Sequence, residues 1–114
     1  MSVTNTVNVC GIEVPKVGYG TMLFPEPERA VELILHALKT GYRHIDTARK
    51  YGSEKWVGEG VRASGLARED IWITTKVTEE NAKADDFARS VDISLKTLDL
   101  NYIDLLLIHW PQPR

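Results

Sequence analysis

The chain is poor in cysteine, has no long hydrophobic run and carries no excess of positive charge. Cys10 is the only cysteine among 114 residues, so this sequence can form neither an internal disulfide nor a cysteine-based metal site. Fourteen Lys and Arg residues against 16 Asp and Glu residues give a formal net charge of −2, which does not indicate binding to nucleic acid or to an anionic membrane. The longest hydrophobic run, around residues 105–108, is far shorter than the ~20 residues that cross a bilayer.

The rest of the composition is that of an ordinary globular protein. Hydrophobic residues make up 43% of the chain and charged residues 26%, as in soluble domains generally. A chain of this length can form one modest hydrophobic core, so a single domain over residues 1–114 is predicted. Residues 1–6 lack the pattern of a signal peptide, and the expected compartment is therefore the cytoplasm.

Apolar periodicity predicts a β-hairpin followed by alternating strands and helices. The hairpin is expected over residues 7–9 and 12–14, on either side of Cys10-Gly11. Four strands are then expected, each separated from the next by one helix, in units of about thirty residues, the size of a βαβ unit. The predicted strands are residues 17–20, 42–46, 71–77 and 103–108. The last of these is nearly all apolar, which is typical of a parallel strand covered on both faces, and residues 110–113 are expected to end it.

Each of the three predicted helices has a recognisable boundary or apolar face. The first begins near Pro27 and ends at Gly41. The second is expected to be capped by Ser53 and to end at Ser64. The third carries apolar side chains at helical spacing, namely Phe87, Val91, Leu95 and Leu98.

The alternation of strands and helices predicts a parallel sheet with right-handed crossovers. Such a chain can form a flat doubly wound sheet or a segment of a (β/α) barrel. The residues alone leave both open. No linker, low-complexity segment or charge block suggests a second module.

Four chemically competent side chains fall at or just after the predicted strand ends. Asp46 ends the second strand, Lys76 ends the third and His109 ends the fourth, while Tyr51 follows Asp46 in the next loop. The carboxyl ends of parallel strands meet at one edge of a sheet or barrel. These four side chains are therefore expected to face one small volume.

Together these groups suit the reduction of a carbonyl by an external hydride donor. A lysine at the end of a buried strand needs an anionic partner, which Asp46 can supply. The ammonium favours the phenolate of a neighbouring tyrosine, so Tyr51 can act as a proton donor tuned by Lys76. His109 can donate a hydrogen bond to the carbonyl oxygen and so orient the substrate.

Other interpretations of the same residues remain open at this point. Asp46 and Lys76 can form a purely structural ion pair. His44, Asp46 and His109 can be read as a metal triad, although Lys76 competes for the carboxylate. A strand-end lysine can also form a Schiff base, as in a lyase of the class I aldolase type. Arg43 and Asp104 are interpreted as structural polar residues.

The chain resembles the aldo-keto reductases, particularly the bacterial 2,5-diketo-gluconate reductase-like members. The resemblance runs along essentially the whole chain, in order and with the family spacing. It is carried by residues 14–21 (VPKVGYGT), 41–48 (GYRHIDTA), 51–54 (YGSE), 71–77 (IWITTKV) and 102–111 (YIDLLLIHWP). Ser53 stands where many members have Asn, and either residue can cap a helix.

The resemblance implies a function and a set of site residues. The catalytic tetrad of the family falls on Asp46, Tyr51, Lys76 and His109. The implied cofactor is NADPH, with Gly20, Thr21 and Asp46 on the side of the nicotinamide ribose. Met22, His109 and Trp110 would line the pocket for a small aldehyde or ketone. No metal ion, nucleic acid or membrane is expected to take part.

The resemblance also implies an incomplete barrel. The family fold is an eight-stranded (β/α) barrel of typically ~250 residues, whereas the predicted pattern contains four strands and an N-terminal hairpin. The expected fold is therefore half of a (β/α)8 barrel. Half a barrel would leave its inner face and two strand edges uncovered, which predicts self-association. The alternative is a non-catalytic truncated barrel that acts as an interaction module.

Overall fold

The computed structural model describes residues 5–110. Of residues 110–113, which were expected to end the last strand, residues 111–113 lie outside the described residues. Six strands and three α-helices follow one another in chain order. The strands are β1 (Thr6–Val9), β2 (Ile12–Pro15), β3 (Tyr19–Gly20), β4 (His44–Asp46), β5 (Trp72–Val77) and β6 (Leu105–Ile108). The helices are α1 (Ala30–Thr40), α2 (Glu54–Ala63) and α3 (Ala84–Leu98).

The predicted hairpin is present as the antiparallel pair β1–β2. Its two-residue turn consists of Cys10 and Gly11, which both have positive φ, 53° and 85°. A turn with positive φ at both central positions matches the twist of the strands that it joins. The side chain of Asn8 also accepts a hydrogen bond from the Gly11 N–H at 3.1 Å.

The remaining four strands form one parallel sheet in the order β3-β4-β5-β6. Each strand pairs with the next one along the chain, and Asp46 lies in register with Gly20 on one side and Thr74 on the other. Lys76 lies in register with Leu107 on β6. Because side chains alternate along a strand, Asp46, Thr74 and Lys76 share one face of the sheet. That order and direction agree with the predicted half barrel.

The three helices cover the other face of the sheet. There Ile45 of β4 and Ile73 of β5 are fully buried beneath α1 and α2. α2 packs between α1 and α3. The central cluster of the core comprises Phe24, Ala30, Ile34, Leu38, Ile45, Val57, Val61, Ile71, Ile73 and Leu98. The helices cover one face of the sheet, and the face that carries Asp46, Thr74 and Lys76 has no helix over it. The carboxyl ends of the strands therefore remain accessible.

The prediction that the last strand is covered on both faces is wrong for the described residues. Leu105, Leu107 and Ile108 are each 40–50% exposed. β6 lies at the edge of the sheet, so Ile108 on the helix side and Leu107 on the opposite side both lack a covering layer. Residues 5–110 form no surface that buries this apolar run.

One detail of the helix predictions was wrong. Ser53 precedes α2, but its side chain makes no capping hydrogen bond. It bonds instead to Thr47, at the start of the same loop, and to Thr21 in the loop after β3.

The third helix, α3, carries the predicted apolar residues at helical spacing. Of these, Leu98 is buried, whereas Phe87, Val91 and Leu95 are only partly buried. The other buried positions of α3 are Ser90 and Ser94.

Asp104, interpreted from the sequence as a structural polar residue, forms an ion pair with Arg68. The Asp104 carboxylate accepts hydrogen bonds from the Arg68 guanidinium and the Ile73 N–H, both at 2.8 Å. Both side chains are mostly buried. Arg43 instead donates to the carbonyl oxygens of Leu38 and Tyr42. The Arg68–Asp104 pair thus ties the segment before β6 to β5, at the end of the sheet opposite Lys76.

No helix within residues 5–110 is long and apolar enough to cross a membrane.

Gly58 is required for the packing of α2 on α3. A Cβ atom at this position would lie 1.8 Å from the carbonyl oxygen of Leu98, a distance that only a backbone shift can relieve. We expect Gly58→Ala to cost about 3 kcal/mol in strain against a gain of about 1 kcal/mol in helix propensity. Thermal unfolding should therefore move down by roughly 10 °C.

The control for this substitution is Gly20→Ala, because a Cβ atom at Gly20 would meet nothing within 4 Å. Its unfolding temperature should stay close to that of the unmodified chain. An unchanged temperature for Gly58→Ala would contradict the packing described here.

Candidate active site

The central contact of the candidate site joins Asp46 and Lys76. Asp46 ends β4 and Lys76 lies near the end of β5, on the same face of the paired strands. The Lys76 Nζ donates to the Asp46 Oδ1, and it also donates to the backbone oxygen of Thr47 at 3.1 Å. The lysine side chain is only 13% exposed, whereas that of Asp46 is 41% exposed. The buried ammonium is thus satisfied, and part of the carboxylate stays open to a ligand.

Tyr51 reaches the same ammonium from the loop after β4. A 3₁₀ turn over Arg49–Tyr51 brings the side chain back over the strand ends. Gly52 ends this turn in the left-handed conformation, with φ 73°. Lys76 Nζ lies 3.3 Å from Tyr51 Oη and 4.9 Å from the centre of its ring. The predicted neighbours Asp46, Lys76 and Tyr51 are therefore brought together in direct contact.

His109 completes the cluster from the end of β6. Its backbone N–H donates to the Val77 oxygen at 2.8 Å, which extends the pairing of β5 and β6. Its ring lies edge-on to Tyr51, with centroids 5.5 Å apart, and stacks on Trp110 at 6.2 Å with an interplanar angle of 6°. The four sequence-predicted catalytic residues thus form one continuous series of contacts, from Asp46 to Lys76, from Lys76 to Tyr51 and from Tyr51 to His109.

A cavity of about 350 Å³ opens beside this cluster. Its lining is predominantly apolar and includes the predicted pocket residues Met22, His109 and Trp110. Tyr51 also lines it, so the phenol faces the space that a substrate would occupy. Met22 and Trp110 are 66% and 61% exposed, which leaves the cavity open on its outer side.

Lys50 is a cavity residue that the sequence analysis missed. It lines the same cavity as Tyr51, and its Nζ lies 3.3 Å from Glu79 Oε1 in the loop after β5. Only its position directly before Tyr51 could have suggested this role. The pKa of Glu79 is lowered, chiefly by a hydrogen bond from its own backbone, and in addition by Lys50 and by the charge of His109.

Of the residues expected on the cofactor side, Gly20 and Asp46 are open to a ligand, whereas Thr21 is buried. Gly20 lies in register with Asp46, and the space above its Cα is empty, so a flat group could approach Asp46 there. Thr21 is fully buried. Its hydroxyl donates to the Asp46 backbone oxygen at 3.1 Å. Gly20 and Asp46 therefore present an open surface that fits a hydroxylated ligand such as a ribose, while the Thr21 side chain faces the interior.

The geometry does not favour the other interpretations of these residues. His44 places Nδ1 3.3 Å from the Pro15 oxygen and Nε2 2.9 Å from Thr74 Oγ1, so both ring nitrogens are engaged away from Asp46. Over residues 5–110, no group of three His, Cys, Asp or Glu residues is arranged to hold a metal ion. Lys76 has three acceptors around its Nζ, whereas a Schiff base requires a free amine.

Comparison with known proteins identifies the family. Residues 16–114 match the family model described as "Aldo/keto reductase family". The chain belongs to the aldo/keto reductase family. It is 43% identical over 113 residues to the D/L-glyceraldehyde reductase of Hypocrea jecorina, and this match covers 95% of the chain and 34% of the relative.

Solved structures of aldo/keto reductases have the same fold. A putative 2,5-diketo-D-gluconic acid reductase B is similar with a TM-score of 0.89 and 41% identity, over 96% of this chain and 39% of the other. The Bombyx mori aldo-keto reductase, solved in complex with NADP, gives a TM-score of 0.89 and 33% identity, over 97% of this chain and 39% of the other. The predicted family and the partial (β/α) barrel are both confirmed. The chain spans about a third to two fifths of the length of these relatives.

The ion pair beside the cavity predicts an unusual titration of Glu79. Because its pKa is lowered, Glu79 should stay ionised at pH values where an ordinary glutamate, with a pKa of about 4.3, is half protonated. The Lys50–Glu79 pair should therefore persist as the pH falls through that value and be lost only below it. The side-chain carboxyl signal of Glu79 in an NMR titration measures this directly.

Lys50→Met is the matching control variant. Because the backbone hydrogen bond is the larger cause, this substitution should raise the pKa of Glu79 only part of the way towards the ordinary value. A full return would show that the lysine alone holds the carboxylate in its ionised form.

Proposed function

We propose that this protein reduces the carbonyl group of small aldehydes or ketones, with NADPH as the hydride donor. The single observation that carries the proposal is the position of Lys76 Nζ, which contacts both Asp46 and the Tyr51 hydroxyl at the edge of an apolar cavity. Membership of the aldo/keto reductase family supports an oxidoreductase of this kind. The proposed compartment is the cytoplasm.

Each residue of the cluster has a distinct role in the proposed reaction. Tyr51 donates the proton to the carbonyl oxygen as the carbonyl carbon is reduced. Lys76 stabilises the phenolate that remains, and Asp46 holds the ammonium in place. His109 donates a hydrogen bond that orients the carbonyl oxygen towards Tyr51. The alcohol leaves, and Tyr51 regains its proton from solvent.

The open surface at Gly20 and Asp46 is the proposed site of the cofactor's ribose. The exposed part of the Asp46 carboxylate can accept hydrogen bonds from ribose hydroxyl groups. A reduced nicotinamide bound there would supply the hydride that reaches the carbonyl carbon. One relative of known structure was solved with NADP, which supports a dinucleotide of this class.

Tyr51→Phe tests the proton donor. A positioned general acid contributes about 10²- to 10⁴-fold to a rate, so we expect carbonyl reduction to fall at least about 100-fold. Binding of NADPH, followed by its fluorescence, should not change because the phenol does not hold the ribose.

Tyr42→Phe is the control, because Tyr42 lies away from the site. Its ring packs against that of Tyr19, with the two ring centroids 5.8 Å apart. It should keep the full rate. Persistent reduction by Tyr51→Phe would exclude Tyr51 as the acid, and a chain that binds no NADPH at micromolar concentration would favour a non-catalytic interaction module.

We further propose that the 114-residue chain on its own self-associates through the edges of its sheet. Leu105 and Leu107 are exposed on edge strand β6, and β3 forms the opposite edge. Exposed apolar edge strands favour pairing with another strand. Two copies would supply eight parallel strands, which is the number in a closed (β/α)8 barrel.

Sedimentation velocity at micromolar concentration measures this association. We expect a dimer for the unmodified chain and a monomer for Leu107→Lys, because a charge cannot be buried at a strand interface without a partner. Val9→Lys places the same charge on another exposed apolar residue, in the hairpin, and should leave the dimer intact. A monodisperse monomer of the unmodified chain would contradict the proposal.

A further inference from the structure

The segment that carries Tyr51 is a short loop closed at its base. It runs from Thr47, directly after β4, to Glu54, the first residue of α2. Thr47 Oγ1 and Ser53 Oγ lie 3.2 Å apart, so a hydrogen bond between buried hydroxyls joins the two ends. Tyr51 itself is partly exposed, and its hydroxyl contacts Lys76 Nζ. Its position therefore depends on how the base of the loop is held.

Ser53 connects this base to the loop after β3. Its Oγ is 3.0 Å from the Thr21 backbone oxygen and 3.1 Å from Thr21 Oγ1. The Thr21 hydroxyl in turn donates to the backbone oxygen of Asp46. Because a hydroxyl has one proton to donate, the only consistent direction is from Thr47 to Ser53, from Ser53 to Thr21 and from Thr21 to Asp46.

This chain of hydroxyls begins and ends on residues that hold the catalytic lysine. Thr47, at one end, accepts a hydrogen bond from Lys76 Nζ on its backbone oxygen. Asp46, at the other end, accepts from Lys76 on its carboxylate. Ser53 is 2% exposed, so water cannot replace its bonds. A displacement of Ser53 would therefore move Asp46 and Thr47, which both accept hydrogen bonds from Lys76.

Glu54 fixes the same loop against the strand that carries Lys76. Its side chain is 3% exposed. Oε2 accepts from the Thr75 hydroxyl at 2.7 Å, and Oε1 accepts from the Ser94 hydroxyl on α3 at 3.2 Å. Thr75 directly precedes Lys76 on β5. A buried carboxylate that is only hydrogen-bonded is costly unless all its partners are kept, so this contact has little freedom to move.

We propose that Ser53 and Glu54 are positioning residues, which hold the Tyr51 hydroxyl beside the Lys76 ammonium. Ser53 ties the loop to the ends of β3 and β4, and Glu54 ties it to β5. Neither residue touches the cavity or the reacting atoms. The proposal rests on the proposed function, in which Tyr51 is the proton donor, but it makes a structural claim that can be measured without turnover.

The measurement is the coupling between Lys76 and Tyr51 in the full chain. The four tyrosines are labelled with fluorotyrosine, and Tyr51→Phe identifies the fluorine signal of Tyr51. Lys76→Met then removes the cation. The resulting displacement of the Tyr51 fluorine signal reports how close the ammonium lies to the Tyr51 ring. The same measurement is then made in a chain that carries a second substitution, and the difference between the two displacements gives the coupling between the two positions.

The three test backgrounds are Ser53→Ala, Thr47→Val and Glu54→Gln. Thr47→Val keeps the shape of the side chain and removes only the bond between the two loop ends, so it stays informative if Ser53→Ala does not fold. In each background we expect most of the signal displacement caused by Lys76→Met to be lost. Ser53→Thr keeps the hydroxyl and should restore it.

Ser64→Ala is the matched control, because Ser64 makes hydrogen bonds at the opposite end of the same helix. It should leave the displacement unchanged. The proposal is overturned if folded Ser53→Ala, Thr47→Val and Glu54→Gln all keep the full displacement, or if Ser64→Ala loses it as well. Absence of carbonyl reduction would count against the proposed function alone, since the fluorine signal does not depend on turnover.

Discussion

A nearly buried ammonium sets the conditions that the strand ends have to meet. Lys76 is placed by β5 where only 13% of its side chain is exposed, and a charge in that position is tolerated only if acceptors replace the lost water. The acceptors come from Asp46, from the Thr47 backbone oxygen and from Tyr51. All three belong to β4 or to the loop that follows it. The parallel register of β4 and β5 therefore determines whether the site exists.

The alternation of side chains on β5 allows two separate networks to act on one strand. Lys76 faces the open side of the sheet and binds Asp46 and Tyr51. Thr75, one residue earlier, faces the helices and donates to the buried carboxylate of Glu54. Since successive residues of a strand point to opposite faces, the same backbone fixes the Lys76 ammonium on one side and the start of α2 on the other. The loop with Tyr51 lies between these two attachments.

The sequence was sufficient to predict the parallel strands and the four residues at their ends. Apolar runs mark strands, and the rule that parallel strand ends converge predicts that Asp46, Lys76 and His109 lie close together. The hidden polar contacts could not be predicted in this way. Ser94 and Glu54 are separated by forty residues, and neither is apolar. Hydrophobic periodicity therefore placed the buried face of α3 on the apolar residues next to the serines. Ser53 fits a helix-capping pattern, but its hydroxyl bonds to Thr21 because tertiary partners replaced the local one.

The polar cluster and the walls of the cavity beside it are formed by different parts of the molecule. Tyr51, Lys76 and Asp46 are held by β4, β5 and one closed loop, and each has partners within residues 5–110. The cavity beside them is bordered by Met22 and Trp110, which are both mostly exposed, and exclusion of water strengthens every electrostatic contact in an active site. A surface placed over these two residues would exclude water from the cavity and so strengthen the Lys76–Tyr51 contact. A segment that covers about a third of its relatives' length thus brings Asp46, Lys76, Tyr51 and His109 together, while the enclosure of the cavity depends on what covers its open face.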